Sequence, residues 1–404
     1  MKPNVIFVLL DGSRFDRIHV SREFRNLIKQ GTLLDNVTTA IPYTFGSLNV
    51  ILTGKYGKEN GVDGYYKVSK LKKDVPFLPE ILQKEGYFTS RGLINDDILS
   101  TRGFDIRKAY DEYKEDLNVR HPELIRHTFE KARGNPFFIL LQFTGIHTVT
   151  GTEVLKKYEW NDESFYKKKN SNLQTFDDAF KETGIYAQNI KNTIKELGIS
   201  ENTIIVFFTD HGTGIGERFG ERNYGSFTFE ETIRTFYLFI GPKIVSNQKS
   251  DKLLSTIDIF PTILELCDIK IKQKKIGSSF HDFLLGKQSE PIEKEFTFSE
   301  TGALHGPYPS PEISNVFCIK TKNFKLMYLK DIDEWKMYDL QSDPNETMNT
   351  IDTGLKAEKI FCQFSLPTSI QSMSTSQSSK EAFMPWPKNG TTAWAASPMR
   401  QKFS

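Results

Sequence analysis

The sequence predicts an α/β protein with a doubly wound, mostly parallel sheet flanked by helices and a small C-terminal antiparallel sheet. Four apolar segments without alternation are typical of strands buried on both faces of a parallel sheet. Helical patterns lie between these segments, as in an α/β fold. After about residue 290 the chain changes to short, partly alternating runs separated by turns, which favours an antiparallel sheet.

These changes of pattern predict the domain organisation. We expect a main domain at residues 1–290, a small antiparallel subdomain at 291–350 and a disordered tail at 351–404. The tail is rich in Ser and Thr and has no hydrophobic periodicity, so it lacks the means to bury a core.

The individual elements follow from the same patterns. Strands are predicted at 5–10, 137–143, 203–208 and 236–240, and helices at 44–53, 77–85, 179–197 and 255–266. Glycine follows three of these helices, and Ser255 is a candidate cap for the fourth. The C-terminal runs begin at residues 295, 315, 324 and 334.

Composition excludes several classes of protein. The 404 residues carry 53 Lys plus Arg against 51 Asp plus Glu, a balance that gives no reason to expect a nucleic-acid partner. The three cysteines are too widely spaced for a disulfide framework or a zinc site. We see neither a signal-peptide pattern nor an apolar run of ~20 residues that would span a membrane. The expected location is therefore cytoplasmic, and the oligomeric state stays open.

Two of the predicted strands end in side chains that bind metals. Asp11 follows the first strand, and Asp210 and His211 follow the third. Ligands of doubly wound sheets bind beyond the carboxyl ends of the strands. Two carboxylates and an imidazole suit one divalent cation, which could be Mn, Zn, Ca or Mg. The alternative is that each aspartate only caps a turn or a helix.

Thr44 opens a predicted helix, and this position has two interpretations. Its hydroxyl could simply be an N-cap. A helix start also favours an oxyanion, and a hydroxyl beside a cation would lose its proton more readily, which is how a weak nucleophile is activated.

Six blocks, in order over residues 3–350, resemble the sulfatase-like branch of the alkaline phosphatase superfamily. They read VIFVLLDGSR, TFGSLNVILTGKYGKENG, VFFTDHGTGIGERFG, FEETIRTFYLFIGP, LLSTIDIFPTILELCDI and a C-terminal block that contains MYDLQSDPNE. The resemblance implies a hydrolase of ester bonds with Thr44 as nucleophile. It also implies a metal site of Asp11, Thr44, Asp210 and His211, and a substrate-facing His147.

Departures from the family pattern refine the expected chemistry. Sulfatases of this branch resemble one another in oxidising a Cys or Ser to an aldehyde hydrate, a route that the methyl group of Thr44 closes. The family's arginine is replaced by Leu48, its second aspartate by Gly12, and its lysine before the EETIR block is not evident. Arg14 and Arg222 are the candidate substrate-binding cations.

A Thr nucleophile beside a D-G-x-R start resembles the phosphodiesterases and phosphoryl transferases of the superfamily. We therefore predict cleavage of a phosphodiester or phosphonate monoester through a phospho-Thr44 intermediate. The substrate would be a small-molecule, glycan-derived or lipid-derived anionic ester. A sulfuric ester hydrolase is the alternative, and a degenerate member that binds a ligand without turnover is the third hypothesis.

Overall fold

A mixed sheet of nine strands forms the centre of the molecule in the computed structural model, which describes residues 2–65, 70–158, 162–270, 277–302 and 314–351. The strand order is β4-β3-β5-β1-β6-β7-β2-β8, with β9 also paired to β2. The first five strands of this order are parallel, whereas β7 is antiparallel to both of its neighbours. The bounds are β1 Asn4–Leu10, β2 Thr32–Thr38, β3 Phe88–Leu93, β4 Ile106–Ala109, β5 Phe137–Phe143, β6 Thr203–Phe208, β7 Arg234–Ile240, β8 Gln248–Ser250 and β9 Leu254–Ser255.

Helices cover both faces of this sheet, so the doubly wound prediction is confirmed. Alternate residues of β1 enter two separate cores: Val5, Phe7 and Leu9 on one face, and Ile6, Val8 and Leu10 on the other. The helices are α1 Arg22–Ile28, α2 Thr44–Thr53, α3 Gly57–Asn60, α4 Leu78–Lys84, α5 Leu117–Ala132, α6 Gly145–Val149, α7 Ser164–Lys167, α8 Lys169–Glu196, α9 Glu230–Ile233, α10 Ile259–Leu266 and α11 His281–Leu284. Helices α2, α4, α10 and α11 pack on the first face, and α1, α5 and α8 on the second.

A second, four-stranded sheet is entirely antiparallel, as predicted, in the order β10-β11-β12-β13. Its strands are β10 Thr297–Thr301, β11 Val316–Lys320, β12 Phe324–Leu329 and β13 Glu334–Asp339. Strand β10 contacts the segment that joins β2 to α2. The amide of Glu300 donates to the carbonyl of Ala40 at 2.9 Å, and the hydroxyl of Ser299 donates to the carbonyl of Thr39.

Most predicted elements are present, and two details of the prediction were wrong. The predicted helix 179–197 begins ten residues earlier, at Lys169. Asn172 is a buried polar residue that donates to two backbone carbonyls. It interrupts the apolar spacing from which the start of the helix would be predicted. Thr44 is the first helical residue of α2 rather than its cap, because Tyr43 takes the cap position with extended backbone.

The other expectations about organisation have different outcomes. The tail predicted at 351–404 lies outside the described residues apart from Ile351. The domain boundaries at 290 and 350 stay predictions. Among the described helices, none combines the length and apolar character needed to cross a membrane.

Candidate active site

Three segments that are far apart in the chain meet at one edge of the large sheet. Strands β1 and β6 are neighbouring and parallel, so Asp11 and the Asp210–His211 pair follow them at the same edge. Strand β2 runs in the same direction, because β7 is antiparallel to both β2 and β6. The chain that leaves β2 therefore delivers Thr44 to this edge as well. The predicted convergence of an acid, a hydroxyl and an acid–imidazole pair is present.

Two carboxylates and one imidazole form a buried cluster at this edge. One ligand-type atom each from Asp11, Asp210 and His211 lies within 4.8 Å of the others. Nε2 of His211 is 3.6 Å from Oδ1 of Asp11 and 3.6 Å from Oδ2 of Asp210. Burial, with the nearby Asp11 carboxylate, raises the pKa of Asp210 to about 6 against the lowering effect of His211. Two buried acids this close together need a positive charge between them.

Hydrogen bonds orient the cluster for a cation. Nδ1 of His211 is 2.8 Å from the carbonyl of Gly212, a contact in which only an N–H can donate. In the neutral imidazole, Nε2 then carries the lone pair beside the two acids, which is how metal-binding histidines are held. Oδ2 of Asp210 is buried and accepts no hydrogen bond from the described residues. Gln142 of β5 donates to Oδ2 of Asp11 at 2.7 Å. These donor atoms fit a divalent cation.

Thr44 lies at the open side of this cluster. Its Oγ1 atom is 3.3 Å from Oδ2 of Asp11, 3.5 Å from Oδ1 of the same residue and 3.4 Å from Nε2 of His211. The side chain is half-buried, whereas the three ligand-type residues are buried. The hydroxyl is therefore the member of the group that a substrate can reach. It also lies at the start of α2, where unpaired backbone amides favour negative charge.

His147 lies on the short helix α6, directly after β5, and is held by a carboxylate. Its Nδ1 atom is 3.8 Å from Oε2 of Glu112, an ion-pair distance longer than a hydrogen bond. Glu112 also accepts a hydrogen bond from Thr148. Burial alone would lower the pKa of His147, but Glu112, with Asp11 and Asp210, raises it to about 9. A protonated imidazole can donate to an oxygen of an anionic substrate.

Tyr224 joins the two histidines, and the sequence patterns did not identify it. Its ring lies against His211, with centroids 4.1 Å apart, and its hydroxyl is 3.4 Å from Nε2 of His147. Tyr65 is a further hydrogen-bond partner of Tyr224. Tyr224 and Glu112 both lie in irregular segments with no motif of their own. The one available signal was the window before the EETIR block, where the family's lysine is absent and Tyr224 stands.

The two arginines predicted to bind substrate have other partners in the structure. Arg14 donates to Asp16 at 2.9 Å and to Glu217 at 2.6 Å. Arg222 stacks on Phe165, with its guanidinium carbon 4.9 Å from the ring centroid. Both arginines are thus engaged by other side chains, and their role in substrate binding stays a prediction.

Two departures from the family pattern have structural reasons. Leu48, which replaces the arginine, is buried in the core between the sheet and α2. A charged side chain at this position would have to lie in an apolar environment. Gly12, which replaces the second aspartate, has φ +70°, a conformation that favours glycine. The glycine therefore makes the sharp turn after β1.

Comparison with protein families gives two matches. Residues 3–269, more than half of the chain, match the family described as Sulfatase. Residues 220–371 match the C-terminal region described as N-sulphoglucosamine sulphohydrolase, C-terminal.

Curated relatives are similar over part of the chain. An N-acetylglucosamine-6-O-sulfatase of Bacteroides thetaiotaomicron is 29% identical over 175 residues, which cover 42% of this chain and 30% of the relative. Arylsulfatase K of Bos taurus is 27% identical over 236 residues, which cover 55% of this chain and 42% of the relative. The matched region thus spans less than half the length of either relative.

Solved structures share the fold at low sequence identity. A putative sulfatase from Bacteroides thetaiotaomicron superposes with a TM-score of 0.74 at 18% identity and covers 90% of both chains. A phosphonate monoester hydrolase of Agrobacterium radiobacter superposes with a TM-score of 0.68 at 15% identity and covers 87% of this chain and 92% of the other.

Proposed function

The chain belongs to the sulfatase family, and from this premise we propose that it hydrolyses a mono-anionic oxoacid ester with Thr44 as nucleophile. One observation carries the proposal: Oγ1 of Thr44 lies 3.3 Å from Asp11 and 3.4 Å from His211, beside the buried acid–imidazole cluster. A half-buried hydroxyl among such groups can be deprotonated and can reach a bound ester.

Asp11, Asp210 and His211 would hold one divalent cation, with Thr44 beside it. When bound, such a cation supplies Lewis-acid chemistry: it lowers the proton affinity of a neighbouring hydroxyl and balances charge on the ester oxygens. The identity of the metal stays open, because oxygen ligands with one imidazole suit several divalent ions.

The protein's own side chains carry out the remaining steps of the proposed reaction. The Oγ1–H group of Thr44 donates toward Asp11, which holds the proton as Oγ1 attacks the central atom of the ester in line. The bond from that atom to the leaving oxygen breaks, and His147 gives the leaving oxygen a proton. Water then attacks the central atom of the ester on Thr44, and the bond from that atom to Oγ1 breaks. His147 takes a proton from the water, and Asp11 returns its proton to Oγ1, which restores the Thr44 hydroxyl.

A sulfuric ester is the first substrate class that we propose, and it replaces the phosphodiester preferred from the sequence. The curated relatives named above are a sugar sulfatase and an arylsulfatase. A sulfate monoester carries one negative charge, which one divalent cation and a protonated His147 can balance. A sulfated sugar would match the name of the first relative.

A phosphodiester or phosphonate monoester is the second candidate, and Thr44 itself favours it. The β-carbon of Thr44 bears a methyl group, so it cannot become the aldehyde that the resemblance implies for sulfatases of this branch. A phosphonate monoester hydrolase is among the structures that share the fold. These esters also carry a single charge, so the same side chains suit them.

Two variants of Thr44 test the proposal. Thr44→Ala removes the nucleophile, and we expect turnover of aryl sulfate and aryl phosphodiester to fall by about 10³-fold or more. Thr44→Ser keeps the hydroxyl and should retain activity within roughly tenfold. Steady-state assays of both esters on each purified protein, with Mn, Zn, Ca or Mg added in turn, give these values and rank the substrates.

Metal analysis of the same samples distinguishes loss of the nucleophile from loss of the metal site. Thr44→Ala should still bind close to one equivalent of metal, because Asp11, Asp210 and His211 are intact. Full turnover by Thr44→Ala would refute the mechanism. A wild-type protein that binds no metal and cleaves neither ester would instead support a degenerate, ligand-binding member of the family.

A further inference from the structure

Tyr224 contacts both histidines of the site, each with a different part of its side chain. Its ring lies on the imidazole of His211 with a centroid distance of 4.1 Å and an interplanar angle of 37°. Its hydroxyl reaches Nε2 of His147 at 3.4 Å. Tyr224 is 7% exposed, so its position is set by the surrounding protein. It therefore fixes the distance between the imidazole beside Thr44 and the imidazole that faces the substrate.

The opposite side of the His147 ring is also held. Glu112 lies 3.8 Å from Nδ1 of His147, and the Glu112 side chain is 10% exposed. A carboxylate near Nδ1 keeps a proton on that nitrogen. The nitrogen that exchanges a proton with a substrate must then be Nε2, the atom beside the hydroxyl of Tyr224.

The side chains that could replace Tyr224 as a donor have partners elsewhere. Arg14 is bound by Asp16 and Glu217, and Arg218 by Glu231. His147, with the hydroxyl of Tyr224 beside it, is the group that we assign to protonation of the leaving oxygen.

We propose that Tyr224 is a positioning residue, which aims Nε2 of His147 at the leaving-group oxygen while Glu112 holds the proton on Nδ1. A hydroxyl suits this task because it both donates and accepts hydrogen bonds, whereas an ammonium group only donates. The proposal rests on the ester hydrolysis proposed above, since it assigns a position within that reaction.

The proton balance shows why both properties are needed. Before reaction, the charged imidazole carries a proton on Nε2, which lies 3.4 Å from Oη of Tyr224 and faces the leaving oxygen. When the ester bond breaks, that proton passes to the leaving oxygen, and Nε2 is left with a lone pair. Oη–H of Tyr224 can then donate to the lone pair, so the ring keeps its orientation in both charge states. When water releases the ester from Thr44, Nε2 takes back a proton.

Kinetics with two leaving groups provide the test. Tyr224→Phe removes the hydroxyl and keeps the ring. For an unactivated phenyl ester we expect kcat to fall by about tenfold or more, because protonation of the leaving oxygen contributes 10²–10⁴-fold in favourable cases. For a para-nitrophenyl ester, which leaves without a proton, kcat should change by less than about threefold. KM should stay within about twofold for both. Glu112→Gln should produce the same dependence on the leaving group.

Tyr186→Phe is the matched control. Tyr186 is a buried tyrosine whose hydroxyl lies 2.6 Å from Nδ1 of His121, so the variant also removes a tyrosine–histidine contact. It should lower thermal stability without changing the ratio of the two kcat values. Equal losses for both leaving groups in Tyr224→Phe, or no loss at all, would overturn the proposal.

A spectroscopic measurement tests the positioning role of Tyr224 independently of turnover. Nitrogen NMR of histidine-labelled, metal-loaded protein should show that Tyr224→Phe shifts the Nε2 signal of His147, that Glu112→Gln shifts Nδ1, and that Tyr186→Phe shifts neither. If wild type cleaves no ester yet these shifts appear, the proposed function fails and the contacts stand. If wild type is active and the shifts are absent, the positioning role is wrong.

Discussion

Thr44 combines two properties that a serine or a valine would separate. Its hydroxyl lies within 3.5 Å of both oxygens of Asp11, and its methyl group makes the β-carbon secondary. The first property supplies the hydroxyl that we propose as the nucleophile, and the second removes the chemistry that the family resemblance attributes to an oxidised residue. One residue therefore decides which mechanism the site can use.

Glu221 is an acid that the protein buries without a cation in contact. Its side chain is 1% exposed. Oε1 accepts from the amide of Phe227 at 3.1 Å, while Oε2 has no donor among the described residues. Burial, with the charge of Glu231, raises the pKa of Glu221 to about 8. The folded protein therefore keeps a proton here that the unfolded chain loses near its ordinary value of 4.5.

This difference predicts a pH-dependent effect of Glu221→Gln. As pH rises from 4.5 to about 8, the unfolded state of wild type loses the proton and the folded state retains it, so folding stability falls over this window. Glutamine cannot ionise. The variant should therefore gain stability relative to wild type as pH rises, by on the order of a few kcal/mol at pH 8.

Urea unfolding at several pH values measures this gain. Glu182→Gln, at an exposed position of α8, is the control and should show a nearly constant difference from wild type. If the stability difference for Glu221→Gln does not change between pH 5 and pH 8, Glu221 is ionised in the folded protein.

The loop after β6 owes its position to close backbone contact with α9. The amide of Gly212 donates to the carbonyl of Thr232 at 2.9 Å. A Cβ atom at Gly212 would lie 2.0 Å from the carbonyl oxygen of Glu231. The missing side chain of Gly212 therefore lets the loop after β6 approach the backbone of α9.

Gly212→Ala should therefore disturb both the packing and the cation site. We expect a stability loss of about 1–3 kcal/mol from the steric conflict. Metal affinity should fall as well, because the carbonyl of Gly212 orients His211. Calorimetric unfolding and metal titration measure the two effects. Gly151→Ala, where a Cβ atom meets nothing within 4 Å, should change neither. Unaltered stability of Gly212→Ala would mean that α9 moves away at little cost.

The elements that could be predicted from the sequence are those whose apolar pattern is unbroken. Strands β5 and β6 have the predicted bounds, because every residue in them is buried and apolar or aromatic apart from Gln142 and Thr203. Strand β3 was missed because it buries polar side chains. Arg91, for example, is fully buried and donates to the carbonyl of Leu99 at 2.7 Å. A hydropathy pattern does not show that a buried polar side chain has a hydrogen-bond partner.

The same reasoning applies to the site. Asp11, Thr44 and the Asp210–His211 pair could be located because each follows a recognisable strand or opens a helix. Glu112 and Tyr224 come from irregular segments, and only the folded chain brings them to His147. The substrate class could not be read from the nucleophile alone, since the methyl group favoured a phosphorus ester and the relatives favour a sulfuric ester.

A buried ion network joins the two sheets of the molecule. Lys325 of β12 is fully buried and lies 2.9 Å from Glu230 of α9 and 2.7 Å from Glu346. Lys320 of β11 adds a second contact to Glu230 at 2.9 Å. The amide of Glu230 also donates to Glu346 at 2.8 Å. Each charge in this group is compensated by a neighbour, so the loss of one leaves another exposed to an apolar interior.

Lys325→Met should destabilise the whole fold by about 3–5 kcal/mol, because it removes the cation 2.7 Å from Glu346 and leaves Arg218, at 3.8 Å, as the more distant partner of this buried acid. The double variant Lys325→Met with Glu346→Gln should recover part of that loss. Lys249→Met is the surface control. It removes a 2.8 Å contact with Asp35 from a side chain that is 53% exposed, and should cost about 1 kcal/mol or less. Chemical denaturation followed by tryptophan fluorescence compares the four proteins. A Lys325→Met loss no larger than the surface control would show that water reaches the network.

The contact between β10 and the segment before α2 has a consequence for protein engineering. Ser299 binds the carbonyl of Thr39, the hydroxyls of Thr39 and Ser47 are 3.1 Å apart, and Ser47 donates to the carbonyl of Asp210 at 3.0 Å. Hydrogen bonds thus connect the small sheet to the backbone near Thr44 and to the backbone of Asp210. A chimera that joined the nine-stranded sheet to the C-terminal part of another protein would keep Thr44 and Asp210. It would lose the hydrogen bond from Ser299 that helps to hold their backbone in place.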